Sequence, residues 1–356
     1  MPGMSTIIDN TNAISLETQE AVLDAQLRQI LDENLDDFKN LTVDSTAVAA
    51  NTVWPTDSSL MLDLVERLFK GSQKLDLFGL KPMAVGETPE LIKDLKALNF
   101  QIVNCTKRKG APEKRNALYV DFLDLAEVAS QTFAMFLQEL DERVTCVQLV
   151  PTQKDKLKRL YQWMCESVVN LDKVIGYCTL RIKEDQSTPS KEKVLSLSDP
   201  DAAWIIKGDR EPVVGYKPQI GKSAKGFVTA IIVPQGNAAD VAQLTELCEQ
   251  AINRIGVIPD LVNCDGGYAS KANRKELLAT GVGKVSFSSS KGKAIIPEEE
   301  WESQPLKLAR RMRSAVESLM FQLKHAVNFG EVMRRGLEKV RQELLSKVVA
   351  FNFLRI

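Results

Sequence analysis

The chain has 356 residues, 44% apolar and 26% charged, with a formal net charge of -1, enough to bury a full core in one large domain or two smaller ones. No stretch approaches the roughly 18 uninterrupted apolar residues of a membrane span, and no basic-then-apolar signal opens the chain, so a soluble, cytoplasmic protein without a membrane partner is expected. A single histidine, His325, and six cysteines with no close pair argue against histidine zinc sites, zinc ribbons and disulfide frameworks, which leaves chemistry to carboxylates, Lys, Arg, Ser, Thr or Tyr.

Charge is unevenly spread: residues 1–60 are rich in carboxylates and almost without Lys or Arg, whereas the stretch after Asp265 is basic, so a DNA-facing surface, if present, should lie C-terminally. The spacing of Val22, Leu23, Leu27, Ile30 and Leu31 predicts an amphipathic helix over 16–34. Residues 41–48 are β-branched and apolar enough for a buried strand, and they hold one acid, Asp44. Turn and capping chemistry at 54–58, with Asp57 as a helix cap, precedes a helix through Leu60, Leu64 and Leu68. From about 87 to 183 the pattern is helical, including 116–143 and 153–183.

The period changes at Val194. Residues 194–197, 203–206, 213–216 and 227–233 read as short strands. They are followed by a helix over 238–255, a strand over 260–264 ending at Asp265, a helix over 271–279, a strand over 284–288 and basic helices from about 305. The polar segment 187–193 is the best linker candidate. Residues 215–223 imitate a phosphate loop, but the glycine spacing is one residue too long and Pro218 interrupts it, so no nucleotide cofactor is expected. Asp199-Pro200-Asp201 reads as a turn rather than a metal pair.

Three separated carboxylates stand out: Asp44 and Asp265 on strands, and Glu317 on a basic helix. Two-metal phosphoryl transfer needs acidic oxygens converging from rigid elements. Taken singly, each residue has an ordinary explanation: a strand-edge acid, a Gly-turn aspartate before Gly266-Gly267, and an exposed Arg-Glu helix pair.

The order of the motifs decides between these readings. Asp44-Ser45-Thr46 followed by Pro55-Thr56-Asp57-Ser58, then Gly215-Tyr216-Lys217, Gly226-Phe227 and Gly236-Asn237-Ala238-Ala239-Asp240, then Asp265-Gly266-Gly267-Tyr268, and finally Arg313, Glu317 and Lys324 in an Arg-x3-Glu-x6-Lys pattern resemble bacterial insertion-sequence DDE transposases from about Ser15 to the end. The sequence departs from that pattern in three ways. Arg310 stands where a tyrosine opens the last signature, Ser223 lies near a missing hairpin acid, and only some forty residues precede Asp44, as if most of the N-terminal DNA-binding region were lacking.

The resemblance implies an α/β fold with a ribonuclease H-like mixed sheet flanked by helices and a large all-helical insertion after the first strand. The implied division is an N-terminal helical segment at 1–40, a catalytic core at 41–56 and 194–330, the insertion at 57–193 and a helical tail at 331–356. It further implies that Asp44, Asp265 and Glu317 hold two Mg²⁺ or Mn²⁺ ions and catalyse cleavage at element ends and strand transfer. Arg313, Lys324, Arg310, Lys271, Arg274 and Lys275 would contact double-stranded DNA of the ends and the target, and a homodimer is one compatible assembly. The alternatives are a truncated, inactive DNA-binding relative and a ribonuclease H-like nuclease without strand transfer.

Overall fold

The structure is a computed structural model that describes residues 13–52, 56–83, 88–105, 110–208, 211–312 and 314–356, with only the backbone at 312 and 314–317. The chain forms two units, one of Met1–Thr52 with Asp201–Ile356 and the other Val53–Pro200.

In the first unit the 40–45 segment becomes β1 (Asn40–Ser45), with Leu41, Val43 and Ser45 buried and Thr42 and Asp44 half-buried. This period-2 alternation gives the strand two unlike faces. Strand β1 pairs antiparallel with β5 (Gln219–Ser223) and parallel with β7 (Leu261–Cys264). Adding β6 (Val228–Ile232) and β8 (Lys284–Phe287), the main sheet among the described residues runs β6-β5-β1-β7-β8. It is therefore a mixed sheet in a mixed α/β unit.

One face of that sheet is apolar: Leu41, Val43, Val262, Cys264, Val285 and Phe287 share a core with Leu244, Leu247 and Ala251 of α6 (Leu244–Ile255) and Leu277 of α7 (Lys271–Ala279). The other face is divided. Ile220, Val228 and Ile231 share a core with α1 (Leu16–Asp32), α11 (Ser314–Ala326) and α12 (Leu337–Phe353) through Leu23, Leu27, Leu319, Leu323 and Leu344. Beside it the register lines up Lys222, Thr42, Asn263 and Ser286 across four strands. Over this polar row lies α10 (Gln304–Met312), whose Ala309 carbonyl accepts from Asn263 Nδ2 at 2.9 Å.

The exposed-edge problem of β6 is solved by side chains. The fully buried Asn352 amide of α12 accepts from Val228 N and donates to Val228 O, both at 2.9 Å. Gln250 accepts from Ile231 N at 3.1 Å, and Arg341 donates to Val233 O at 2.9 Å. These groups occupy positions through which another strand would otherwise add.

A smaller sheet, β2-β4-β3, is built from β2 (Val48–Ala49), β3 (Ala203–Ile205) and β4 (Val213–Tyr216). A side chain at Gly215 would strike the Val48 carbonyl and stand 2.8 Å from Ala50 N, so the closeness of β2 and β4 requires glycine.

The second unit is helical: α2 (Asp57–Gln73), α3 (Thr88–Asn104), α4 (Ala111–Cys146) and α5 (Pro151–Lys183), with a short 3₁₀ turn at Lys74–Phe78. Its apolar cluster includes Leu64, Leu68, Leu95, Phe122, Phe133, Leu171 and Val174. The α2 cap is Thr56, which accepts from Ser59 N at 3.2 Å, not Asp57. Asp57 sits in the first turn and pairs with Arg181 of α5 at 2.9 Å. No helix among the described residues is long and apolar enough to cross a membrane.

Several expectations shift. Residues 194–197 are not a strand, because Ser196 Oγ accepts from Ser198 N and Asp199 N at 3.2 and 3.0 Å and turns the backbone. The false phosphate loop contains strand β5, all of it buried. The 41–48 run breaks after Ser45: Thr46 N still bonds Pro218 O in register at 3.2 Å, but Pro218 has no N–H to return the pair. The 238–255 helix starts as a 3₁₀ turn at Asp240–Ala242 before α6. In the Asp199-Pro200-Asp201 turn, Asp201 accepts from Leu337 N at 2.8 Å and so caps α12.

Candidate functional site

Strands β1 and β7 run parallel with Val43 opposite Cys264, so Asp44, next in β1 and still paired with Ile220, and Asp265, the first residue after β7, stand at the same end of the sheet. Strand alternation sets Asp44 on the face of Thr42, and Asp265, still in extended backbone, on the face of Asn263. That is the divided face, over which α10 and α11 lie. The buried thiol of Cys264 reports the same closeness. It is held well above the ordinary thiol range by burial, by Cys248 and then by the charges of Asp265 and Asp44.

Each acid is fixed locally. Asp44 Oδ1 accepts from Ser45 N at 2.7 Å and from Lys207 Nζ at 2.9 Å. Asp265 caps the 3₁₀ turn Gly266–Tyr268 by accepting from Gly266 N. Close packing requires glycine at 266 and favours it at 267. A Cβ on Gly266 would lie 2.5 Å from Ser289 Cβ, and one on Gly267 would lie 3.2 Å from Asp240 Oδ2.

Beside this turn runs a polar chain, buried at Tyr268 and Gln219 and half-buried at Asp240 and Lys217. The Tyr268 hydroxyl donates to Gln219 Oε1, Gln219 Nε2 donates to Asp240 Oδ1 at 2.9 Å, and Lys217 Nζ pairs with the same oxygen at 2.9 Å and reaches Ala238 O at 3.0 Å. Burial first, then the charges of Asp240 and Asp44, push the Tyr268 phenol far up, so it is a donor at any ordinary pH. Gln219 is the cross-strand partner of Ser45. The chain thus ties the Asp265 turn to the end of β1.

The remaining expected site residues are placed as follows. Arg313 lies outside the described residues, as does the Glu317 side chain; the Glu317 backbone belongs to α11, whose Leu319 and Leu323 share the core of Ile220, the cross-strand partner of Asp44. Lys324 is half-buried on α11. Lys271 and Lys275 are exposed on α7, but Arg274 between them is ion-paired with Glu300. Arg310 stacks its guanidinium 3.9 Å over the Trp301 ring and donates to the Trp301 carbonyl at 2.9 Å, so it is engaged within the chain. Trp54 and Pro55 of the first motif lie outside the described residues.

Among the described residues no group of three or more His, Cys, Asp or Glu side chains converges. The donor set is nevertheless of the right kind for a hard divalent cation: carboxylates on adjacent rigid strand ends, one of them already holding a cation in the form of the Lys207 ammonium. Lys207, Lys217, Gln219 and Asp240 were not read as site residues from sequence. Lys217 and Asp240 sit in quoted motifs, but a lone lysine in the turn after a three-residue strand carries no sequence signal.

The model of the transposase DDE domain matches residues 179–353. The match takes in β3 to β8, Asp265 and the Glu317 helix but not Asp44, which reaches that region through the pairing of β1 between β5 and β7. It supports a transposase-type, DNA-processing function. Searches of curated proteins and of solved structures returned no match.

Proposed function

With residues 179–353 matching the transposase DDE domain, we propose that the chain is a DDE transposase of ribonuclease H-like fold that cuts DNA at element ends and joins the freed 3′-hydroxyl to target DNA. The observation that carries the reading is the β1–β7 register, which brings Asp44 beside Asp265 at one sheet end, on the face covered by the helices that lead to Glu317.

In this reading Asp44, Asp265 and Glu317 hold two Mg²⁺ or Mn²⁺ ions. When bound, such ions would supply Lewis-acid activation of an attacking oxygen and neutralise charge on the phosphorus oxygens. The chain's own part is orientation. The Tyr268–Gln219–Asp240–Lys217 chain fixes the turn that carries Asp265, and Ser45 N fixes Asp44. Exposed Lys271 and Lys275 would meet backbone phosphates, joined by Arg313 and Lys324, while Arg274 and Arg310 would have to leave Glu300 and Trp301 to do the same.

The test is nicking of labelled duplex bearing the element's own ends, with Mn²⁺, by wild type, Asp44→Asn and Asp265→Asn. Metal-dependent nicking lost by a factor of about 10³ or more in both variants is expected, since two-metal clamping does not survive loss of a shared ligand. Equal nicking by all three proteins would overturn the assignment. Binding without cleavage in all three would leave the inactive DNA-binding relative.

A further inference from the structure

The Lys207 ammonium spends its donors on an oxygen cage at the end of β1: Asp44 Oδ1 at 2.9 Å, Ser45 Oγ at 3.2 Å and the Ser45 carbonyl. Carboxylate, hydroxyl and carbonyl oxygens are also what a hard cation selects. The arrangement therefore resembles a monovalent cation already seated on the proposed metal ligand. Asp44 is 14% exposed and Lys207 30% exposed, so the pair is screened less than a surface pair and carries corresponding weight.

The way Lys207 is mounted suits release. It lies in the turn after β3, between the exposed Ile206 and Gly208, whose backbone is left-handed at φ 61. Its four-carbon stem can swing into solvent, where an ammonium hydrates strongly, without any change in the sheet.

We propose that Lys207 is a built-in competitor for the metal at Asp44: it neutralises the carboxylate before metal arrives, and a divalent cation takes Asp44 only by displacing it. This rests on the reading of Asp44 as a metal ligand. The geometry favours this over a lysine held out for DNA phosphate: the ammonium lies on the carboxylate and the Ser45 oxygens, at the sheet end next to Asp265.

The experiment is a Mn²⁺ titration of the full chain without DNA, following free Mn²⁺ by its electron paramagnetic resonance signal, with circular dichroism as the folding check. Lys207→Met and Lys207→Gln are compared with wild type, Asp44→Asn and Asp265→Asn; the glutamine variant retains a donor for Ser45 should the methionine variant fail to fold. Binding that depends on Asp44 and Asp265 and becomes about tenfold tighter in the Lys207 variants is expected. A wild type too weak to measure beside a Lys207 variant that binds supports the same conclusion. Unchanged or weaker binding in folded Lys207 variants, with Asp44→Asn still abolishing it, overturns the competitor role and leaves the metal ligands standing. Identical titrations for wild type and both aspartate variants bring down the metal reading itself.

Discussion

Gly266 shows how tightly the Asp265 turn is constrained. Its backbone is unremarkable in φ, so the demand for glycine comes from Ser289, whose side chain fills the space a Cβ would need. Gly266→Ala is expected to destabilise the protein by about 2 kcal/mol, the usual cost of overpacking a closed site. Adding Ser289→Gly should recover part of that loss despite removing the cap that accepts from Gly292 N. Urea unfolding of the single and double variants measures it, and strict additivity would mean the two residues do not meet. At the same scale, Asp44 and Asp265 stand out in sequence as solitary acids inside or at the end of an apolar strand, and it is the resemblance that gives them a proposed role. Lys207 does not stand out, since nothing in a turn lysine's neighbours announces a carboxylate some 160 positions away.

Among the elements, α12 is more than a C-terminal tail. Asn352 supplies both halves of a backbone-like pair to Val228 at the edge of β6, fully buried. Asn352→Leu keeps the volume but orphans a buried N–H and a buried carbonyl, which should cost about 2–6 kcal/mol at 1–3 kcal/mol per unsatisfied group. Chemical denaturation would show the loss, together with increased concentration-dependent association if the edge is then free to pair. The helices of 57–183 and the strands 203–205, 213–216, 228–232, 261–264 and 284–287 could be read from period alone. Strand β5 could not: Gly221 and Lys222 are poor strand formers, and its place beside β1 comes from the ladder and from burial on all five residues.

At the scale of the molecule, the two units have separate cores, with the apolar cluster of Val53–Pro200 drawing on that segment alone. Within the helical unit, buried titratable groups set a pH dependence of stability. Burial, ahead of the charge of Asp57, raises the Cys178 thiol from 9.0 to about 11, and the neighbouring Tyr177 phenol is raised for the same reasons. A group raised on folding gives stability that is complete below its unfolded value and fades as pH climbs to its folded one. The helical unit should therefore lose about 2–3 kcal/mol between pH 9 and 11 through Cys178. Cys178→Ala should flatten that decline while lowering stability at pH 7. Urea titrations at pH 7, 9 and 11 followed by helical circular dichroism test this; an equal alkaline loss in both proteins would refute it.

By itself the sequence determined the α/β alternation, the helical stretch lying between the first strands, the basic stretch after Asp265 and the motif order that resembles a DDE transposase. All of these follow from local periodicity, composition and short spacings. Only the tertiary structure decided that β1 lies between β5 and β7, that Asp44 therefore stands beside Asp265, and that Lys207, Gln219, Tyr268 and Asp240 gather around them. Strand order and side-chain convergence depend on pairing between distant segments, and one chain's local propensities carry no record of which strands pair.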